Sequence, residues 1–190
     1  VRDQTEEAAG VRPPGDGPLP VDAGLMAADG VGGHVGGAVA SRFVVDAVRD
    51  TFADQGAIDS LGPWMEKLFQ SVHRELLREA KGRGMSAAMG STATVAAIDG
   101  KRLVLAHVGD SRAYRLRDGR LEQLTEDDSW VAEQVRAGLL TEEEMATNPQ
   151  KNVLTQCLGI GEALRVHISE ETLEAGDRYL LCSDGLHGEV

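Results

Sequence analysis

The feature that most constrains this chain is a glycine cluster between an apolar run and a helix-like run. Residues 24–37 are Gly-Leu-Met-Ala-Ala-Asp-Gly-Val-Gly-Gly-His-Val-Gly-Gly. Glycine loses more backbone entropy on folding than any other residue, so a cluster needs a reason, and close approach of the backbone to a ligand is the usual one. Asp29 and the Gly30 carbonyl are oxygen ligands of the kind that a hard cation takes. The stretch predicts a strand, a ligand-binding loop and a helix.

Two other carboxylates stand in the same setting as Asp29. Asp110 and Asp184 each follow an apolar, strand-like run. If these strand ends converge, the negative charges repel one another unless cations lie between them. By contrast, the Asp-Gly pairs that begin at Asp99 and Asp118 each separate two strand-like runs, so we expect them to form ordinary turns.

The rest of the chain alternates between helical and strand-like patterns. Helices grouped together beside a series of antiparallel strands indicate the α+β class. Hydrophobic periodicity, turn residues and capping patterns predict helices over 38–54, 63–80, 128–137 and from the capping box at Thr141 to Asn148-Pro149, and strands within 91–124, 164–168 and 179–182.

Composition limits the possible functions. With 190 residues and 42% hydrophobic residues, one globular domain with a substantial core is expected. A net charge of −12 disfavours nucleic-acid binding, which requires a basic face. No apolar run reaches 18 residues, so we expect no membrane contact within this chain. Two cysteines provide no disulfide framework and suit a reducing compartment, which predicts a cytoplasmic location.

Several motifs, in their order along the chain, resemble the bacterial form of the metal-dependent Ser/Thr protein phosphatases of type 2C. The resemblance covers nearly the whole sequence, and no single motif carries it. The matching segments are Arg2-Asp-Gln-Thr-Glu-Glu7, Ala28–Gly37, Gly90-Ser-Thr-Ala-Thr94, His107-Val-Gly-Asp-Ser-Arg-Ala-Tyr114, Leu124-Thr-Glu-Asp-Asp-Ser129, Arg136-Ala-Gly-Leu-Leu-Thr-Glu-Glu143 and Leu181-Cys-Ser-Asp-Gly-Leu186.

This resemblance implies a specific architecture. We expect an α+β fold, a four-layer α-β-β-α sandwich of two antiparallel sheets flanked by helices, with metals in a cleft at one end. Residues 1–190 would form a single phosphatase domain that is truncated at both ends and lacks the family's C-terminal helix and strand. Residues 125–150 would form a flap-like helical insertion.

The resemblance also implies the chemistry. Two or three Mg²⁺ or Mn²⁺ ions would activate a water that hydrolyses phosphoserine or phosphothreonine in a phosphorylated protein substrate, which by family analogy is the product of a cognate Ser/Thr kinase. The residues that match the family's site are Asp29 as the ligand that bridges two metals, the Gly30 carbonyl, Asp184 on the other metal, Asp110 on a third cation, Glu6 and Glu7 on metal-bound waters, and Arg2 on the substrate phosphate.

Three departures from the family pattern support an alternative. Glu7 stands where the family usually has Asp, and Gly188 stands where many relatives have an acidic residue. The family's closing Gly-x-x-Asp-Asn motif does not occur before Val190, so either the chain is a fragment or this form lacks one metal ligand. The alternative function is that of a catalytically impaired domain that binds phosphoproteins or a partner without turnover.

Other classes of enzyme fit the sequence poorly. A cysteine phosphatase needs Cys-x₅-Arg, but the sixth residue after Cys157 is Ala163 and the sixth after Cys182 is Gly188. The glycine spacing misses the Gly-x-Gly-x-x-Gly dinucleotide motif by one residue, and no Gly-x₄-Gly-Lys-Ser/Thr phosphate loop occurs.

For five residues near these motifs we expect structural roles. His107 lies within a strand-like run and is predicted to be a hydrogen-bonded core residue. Cys182 is predicted to be buried and inert, and Ser111 and Arg112 are predicted to brace the turn that carries Asp110. His34 lies within the glycine-rich stretch and is predicted to be structural. Eukaryotic relatives of the family carry a histidine directly after the Asp-Gly pair, but this chain has Val31 there, so we assign no general-acid role to His34.

Overall fold

The computed structural model describes residues 7–12, 22–32, 34–54, 58–85 and 88–188, of which residues 7–12, 34 and 54 are described by their backbone alone. The elements along the chain are β1 (Glu7–Arg12), β2 (Ala23–Val31), α1 (His34–Asp54), α2 (Leu61–Gly82), β3 (Gly90–Ser91), β4 (Ala93–Asp99), β5 (Arg102–Val108), β6 (Arg112–Arg117), β7 (Arg120–Gln123), α3 (Trp130–Arg136), α4 (Glu142–Thr147), β8 (His167–Thr172), β9 (Arg178–Cys182) and α5 (Asp184–His187).

The strands form two antiparallel sheets. The first has the order β1-β2-β4-β5-β8, with β3 paired to the end of β2, and the second has the order β7-β6-β9. The predicted α+β fold, two antiparallel sheets flanked by helices, is confirmed.

Strand β5, between β4 and β8, is buried on both faces, and its side chains divide between two cores. Val104, Ala106 and Val108 pack with the helices α1 and α2. Leu103 and Leu105 pack in the smaller core toward the second sheet. Successive side chains of a strand point to opposite faces, so the continuous apolar run of β5 supplies side chains to both cores.

Helix α2 forms as its periodicity predicts. Its buried face includes Met65, Val72 and Leu76, which recur at helical spacing. Pro63 lies in the first turn, where a missing N–H costs little. The helix runs to Gly82, two residues beyond the predicted end, before the chain turns.

Two predicted boundaries are wrong. Helix α1 begins at His34 rather than near residue 38, so Gly36 and Gly37 are helical instead of forming a loop. Strand β8 covers His167–Thr172 rather than 164–168. It is a half-exposed edge strand whose pairing with β5 supplies its hydrogen bonds, so its position does not depend on an apolar run.

The predicted turns and caps are confirmed. The turns at Asp99-Gly100 and Asp118-Gly119 join β4 to β5 and β6 to β7, with positive φ at Gly100 (60°), Asp118 (51°) and Gly119 (77°). Thr141 and Glu144 form the predicted capping box at the start of α4. No helix in the described ranges is both long enough and apolar enough to cross a membrane.

Candidate metal centre

A cavity of about 1190 Å³ opens where the end of β2, the β5–β6 turn and the start of α5 meet. Asp29, Gly30, Asp110 and Asp184 all line it. Four of the seven residues predicted to form the site therefore share one cavity, although they come from three distant parts of the chain. The roles predicted for them remain predictions.

Asp29 is held by its backbone. Its N–H donates to Thr92 Oγ1 at 2.9 Å. Its carbonyl accepts from Thr92 N–H at 2.8 Å and from Ser91 Oγ at 3.0 Å. The register places Asp29 opposite Thr92, between the Ala27↔Thr94 and Gly30↔Ser91 pairs. These bonds fix the main chain at the cavity wall.

The other predicted ligands are only partly described. The register of β1 and β2 pairs Glu7 with Asp29, so these two residues are cross-strand neighbours at the end of the sheet. The side chain of Glu7 lies outside the described atoms, and Arg2 and Glu6 lie outside the described residues. Their assignment to the site stays a prediction.

Asp110 lies in a setting that opposes its negative charge. Burial, which is the largest cause, and the neighbouring carboxylates of Asp184 and Asp127 together raise its pKa to about 7. The His187 imidazole Nε2 lies 3.0 Å from the Asp110 carbonyl, which holds α5 against the β5–β6 turn. Burial also lowers the pKa of His187. A cation in the cavity would relieve the repulsion at Asp110.

The donor set fits a hard divalent ion. Every predicted ligand is an oxygen, and Mg²⁺ typically takes one or two protein carboxylates and keeps several waters. Among the side chains that the structure describes, no three acidic, His or Cys groups form a metal cluster by themselves. A divalent ion held by these carboxylates would therefore also need water ligands, and the side chain of Glu7 stays a predicted contact of such waters.

The glycine cluster also allows backbone segments to approach one another closely. A Cβ on Gly37 would lie 2.9 Å from the carbonyl carbon of Gly30, because the first turn of α1 packs directly on the end of β2. Cβ atoms on Gly32 and Gly36 would overlap the backbone of Ala88. The glycines therefore permit backbone segments to pack against one another beside the cavity that Gly30 and Gly32 line, and the ligand role predicted for them stays a prediction.

Arg112 and Asp127 form an ion pair in the cavity wall. Arg112 Nε lies 3.0 Å from Asp127 Oδ1, and Nη2 lies 2.7 Å from Oδ2. Both side chains are largely buried, at 18% and 6% exposure. The bidentate pair ties the start of β6 to the segment before α3, as the bracing role predicted for Arg112 requires. The partner, Asp127, was not singled out from the sequence.

Asp128 is the centre of a buried polar network that the sequence analysis missed. Its carboxylate accepts a hydrogen bond from Gly109 N–H at 3.0 Å and lies 2.9 Å from His167 Nε2. Its own N–H donates to the Gly109 carbonyl at 2.7 Å. The only signal was the doubled acid Asp127-Asp128, which no local pattern distinguishes from a solvated pair.

His107 and Cys182 are placed as predicted. His107 is 1% exposed, with Nδ1 2.9 Å from Thr94 Oγ1 and Nε2 3.1 Å from the Glu126 carbonyl. Burial lowers its pKa, which keeps the ring neutral. Cys182 is 7% exposed and unpaired. The side chain of His34 lies outside the described atoms.

The fold of this chain is similar to that of solved serine/threonine phosphatases. Stp1 of Staphylococcus aureus matches with a TM-score of 0.89 at 32% identity, over 100% of this chain and 74% of that one. The catalytic domain of PstP, solved in complex with two manganese ions, matches with a TM-score of 0.83 at 33% identity, over 100% of this chain and 75% of that one. These matches define the class as serine/threonine protein phosphatases, one of which was solved with bound metal.

The chain belongs to the protein phosphatase 2C family, whose sequence profile matches residues 20–190. It is 36% identical over 169 residues to the serine/threonine phosphatase Stp of Listeria monocytogenes, covering 87% of this chain and 67% of that protein. It is 37% identical over 166 residues to PstP of Mycobacterium tuberculosis, covering 87% of this chain and 32% of that protein. The predicted family and enzyme class, a protein serine/threonine phosphatase, are confirmed.

Proposed function

We propose that this chain hydrolyses phosphoserine and phosphothreonine in proteins by using two or three Mg²⁺ or Mn²⁺ ions held at the Asp29–Asp184 end of the cavity. The observation that carries the proposal is that Asp29, Asp110 and Asp184, from three distant segments, line one cavity. The two manganese ions of the PstP catalytic domain support the type of ion and a count of at least two.

Each acidic residue has a proposed share in holding the ions. Asp29 and the Gly30 carbonyl would bind on one side of the site, Asp184 on the other, and Asp110 would bind a further cation. Glu6 and Glu7 would hold metal-bound waters, which the pairing of Glu7 with Asp29 supports. Bound ions of this kind lower the pKa of water and neutralise phosphoryl oxygens.

The substrate would be held by groups of the chain itself. The planar guanidinium of Arg2 suits bidentate binding of the phosphate. The proposed flap-like segment 125–150 also lines the cavity, through residues that include the apolar Val131 and Met145 and the basic Arg136. Arg136 Nη1 donates to the Asp127 carbonyl at 3.1 Å, so its position relative to the cavity is fixed. These side chains would contact the polypeptide on either side of the phosphorylated residue.

The setting in the cell is also a proposal. The substrates would be products of a Ser/Thr protein kinase, because only phosphorylated proteins carry the ester that this site would cleave. Cys157 and Cys182 are buried and unpaired, which supports a reducing compartment, and we therefore propose a cytoplasmic location.

The test is Mn²⁺-dependent hydrolysis of p-nitrophenyl phosphate and of a phosphothreonine peptide. Wild-type chain should hydrolyse both, and D29N and D184N should lose at least about 100-fold in kcat, since each removes a charged ligand. D118N is the matched control, because it changes an Asp-Gly aspartate in the β6–β7 turn where Asn also tolerates positive φ. Peptide binding without turnover would support the binding-module alternative, and inactivity together with no binding would overturn both functions.

A further inference from the structure

The Thr92 side chain contacts the two segments that carry the proposed metal ligands Asp29 and Asp110. Its Oγ1 accepts a hydrogen bond from Asp29 N–H at 2.9 Å and lies 2.8 Å from Ser111 Oγ. Ser111 directly follows Asp110 in the chain. A single hydroxyl therefore connects the strand that carries Asp29 to the turn that carries Asp110.

The Thr92 side chain also packs against the residue that precedes Asp110. Gly109 has a φ of 107°, and a Cβ at this position would lie 2.6 Å from Thr92 Cγ2. The methyl group of Thr92 thus fills the space beside the Gly109 Cα, while its hydroxyl meets Ser111. Both neighbours of Asp110 are in contact with one side chain.

The surroundings leave this contact little freedom. Thr92 is 1% exposed and Ser111 is fully buried, so the protein supplies most of the surroundings of both hydroxyls. Thr94 Oγ1 donates to the Ser111 carbonyl at 3.2 Å, which holds the other side of the turn. Buried polar groups that lose a partner cost free energy, so the bonds resist a change in the distance between β2 and the turn.

We propose that Thr92 is a positioning residue whose hydroxyl, through Asp29 N–H and Ser111 Oγ, holds the Asp29 and Asp110 segments at the separation required by ions in the cavity. The inference rests on the proposed function, because it assigns Thr92 a role toward the metals. Groups that orient metal ligands typically contribute 10–100-fold to metal affinity.

Valine and serine separate the two halves of the threonine side chain. T92V keeps the shape and the methyl group but leaves Asp29 N–H and Ser111 Oγ without the hydroxyl. T92S keeps the hydroxyl and removes the methyl group next to Gly109. T51V in α1 is the matched control, since Thr51 Oγ1 donates only to the Ala47 carbonyl, within the same helix.

The measurements are the Mn²⁺ dissociation constant without substrate, by electron paramagnetic resonance, and deuterium exchange of the Asp29 amide without metal. T92V should bind Mn²⁺ at least about 10-fold more weakly and exchange the Asp29 amide faster, whereas T92S and T51V should match wild type. S111A, which removes one of the two hydroxyls, should show an intermediate loss of affinity and provides the test if T92V does not fold.

The possible failures can be distinguished from one another. Wild-type affinity in T92V or S111A overturns the positioning role, and so does an equal loss of affinity in T92V and T51V, which would indicate a general effect on stability. Loss of affinity in T92S equal to that in T92V also overturns it, because the hydroxyl is then not the determinant. Failure of wild type to bind Mn²⁺ overturns the proposed function itself.

Discussion

The carboxylate of Asp128 accepts a hydrogen bond from Gly109 N–H at 3.0 Å, and the Asp128 N–H donates to the Gly109 carbonyl at 2.7 Å. This reciprocal pair joins the segment that leads into α3 to the residue just before Asp110. The Asp128 side chain is fully buried, and His167 Nε2 lies 2.9 Å from its other oxygen. These hydrogen bonds therefore fix the turn that carries Asp110 relative to the segment that leads into α3.

The first prediction concerns Asp128. D128A should lower the free energy of unfolding by about 3 kcal/mol, because it leaves the Gly109 N–H and the partly buried His167 ring without their partner. D128N, which keeps one carbonyl oxygen, should lose less. Urea denaturation of the three proteins measures the differences. Equal stability of D128A and wild type would contradict a structural role for this network.

A second prediction follows from the contact between Gly30 and Gly37. G37A should destabilise the fold by about 2 kcal/mol or more, since its methyl group would lie 2.9 Å from the Gly30 backbone, which cannot move aside freely. G82A is the matched control, because a Cβ on Gly82 at the end of α2 meets no atom within 4 Å. Alanine there should be neutral or stabilise the helix by up to about 1 kcal/mol. The free energy of unfolding should therefore fall in G37A and stay equal or rise in G82A.

The third prediction concerns acid stability. Arg117 donates to Asp177 through Nε at 2.8 Å and Nη2 at 2.6 Å, and these bonds hold the pKa of the Asp177 carboxyl well below its usual range. Since the pKa is lower in the folded state, the stabilisation is fully present above the unfolded value of about 4 and is lost as pH falls below it.

Unfolding measured from pH 7 to pH 2 checks this expectation. Wild type should be more stable than D177N at pH 7, and the difference should shrink progressively below pH 4. D50N is the control, because the Asp50 side chain is 68% exposed in its ion pair with Arg49 and should matter little at any pH. A wild-type advantage that is constant with pH would contradict the assignment to Asp177.

A fourth prediction concerns substrate recognition. Lys151 is exposed and lines the cavity, so we expect it to contact the peptide beyond the phosphorylated residue. K151A should raise KM about 3-fold for a phosphothreonine peptide with acidic flanking residues, since an exposed ion pair contributes about 0.7 kcal/mol. The KM for p-nitrophenyl phosphate should not change.

K67A, on the exposed face of α2, is the control for the loss of one positive charge. If both lysine variants raise the peptide KM equally, the effect is due to net charge and not to the cavity. If K151A raises KM for both substrates, Lys151 acts on the phosphate site instead of on the flanking peptide.

Local patterns predicted the local structure well. The Thr141–Glu144 capping box, the Asp118-Gly119 turn and the buried stripe of α2 each depend on residues a few positions apart. Their energies come from nearby hydrogen bonds, allowed φ values and helical spacing, all of which are encoded in a short window. The family resemblance added the two-sheet architecture, which local patterns cannot provide.

The predictions that failed depend on contacts between distant segments. The start of α1 is decided by the close packing of Gly37 on Gly30 and of Gly36 on Ala88. The position of β8 is decided by its pairing with β5, and a polar edge strand carries no clear pattern of its own. Thr92 was not singled out either, because its role requires partners 63 and 19 residues away.

The amino-acid sequence by itself determined that carboxylates follow apolar strands at Asp29, Asp110 and Asp184, and that the chain matches the motifs of a phosphatase family. Only the tertiary structure decided that these carboxylates line one cavity and that Thr92, Asp127 and Asp128 support its walls. The physical reason is that strand register and buried hydrogen bonds form between segments far apart in the chain, where neither partner alone indicates the other.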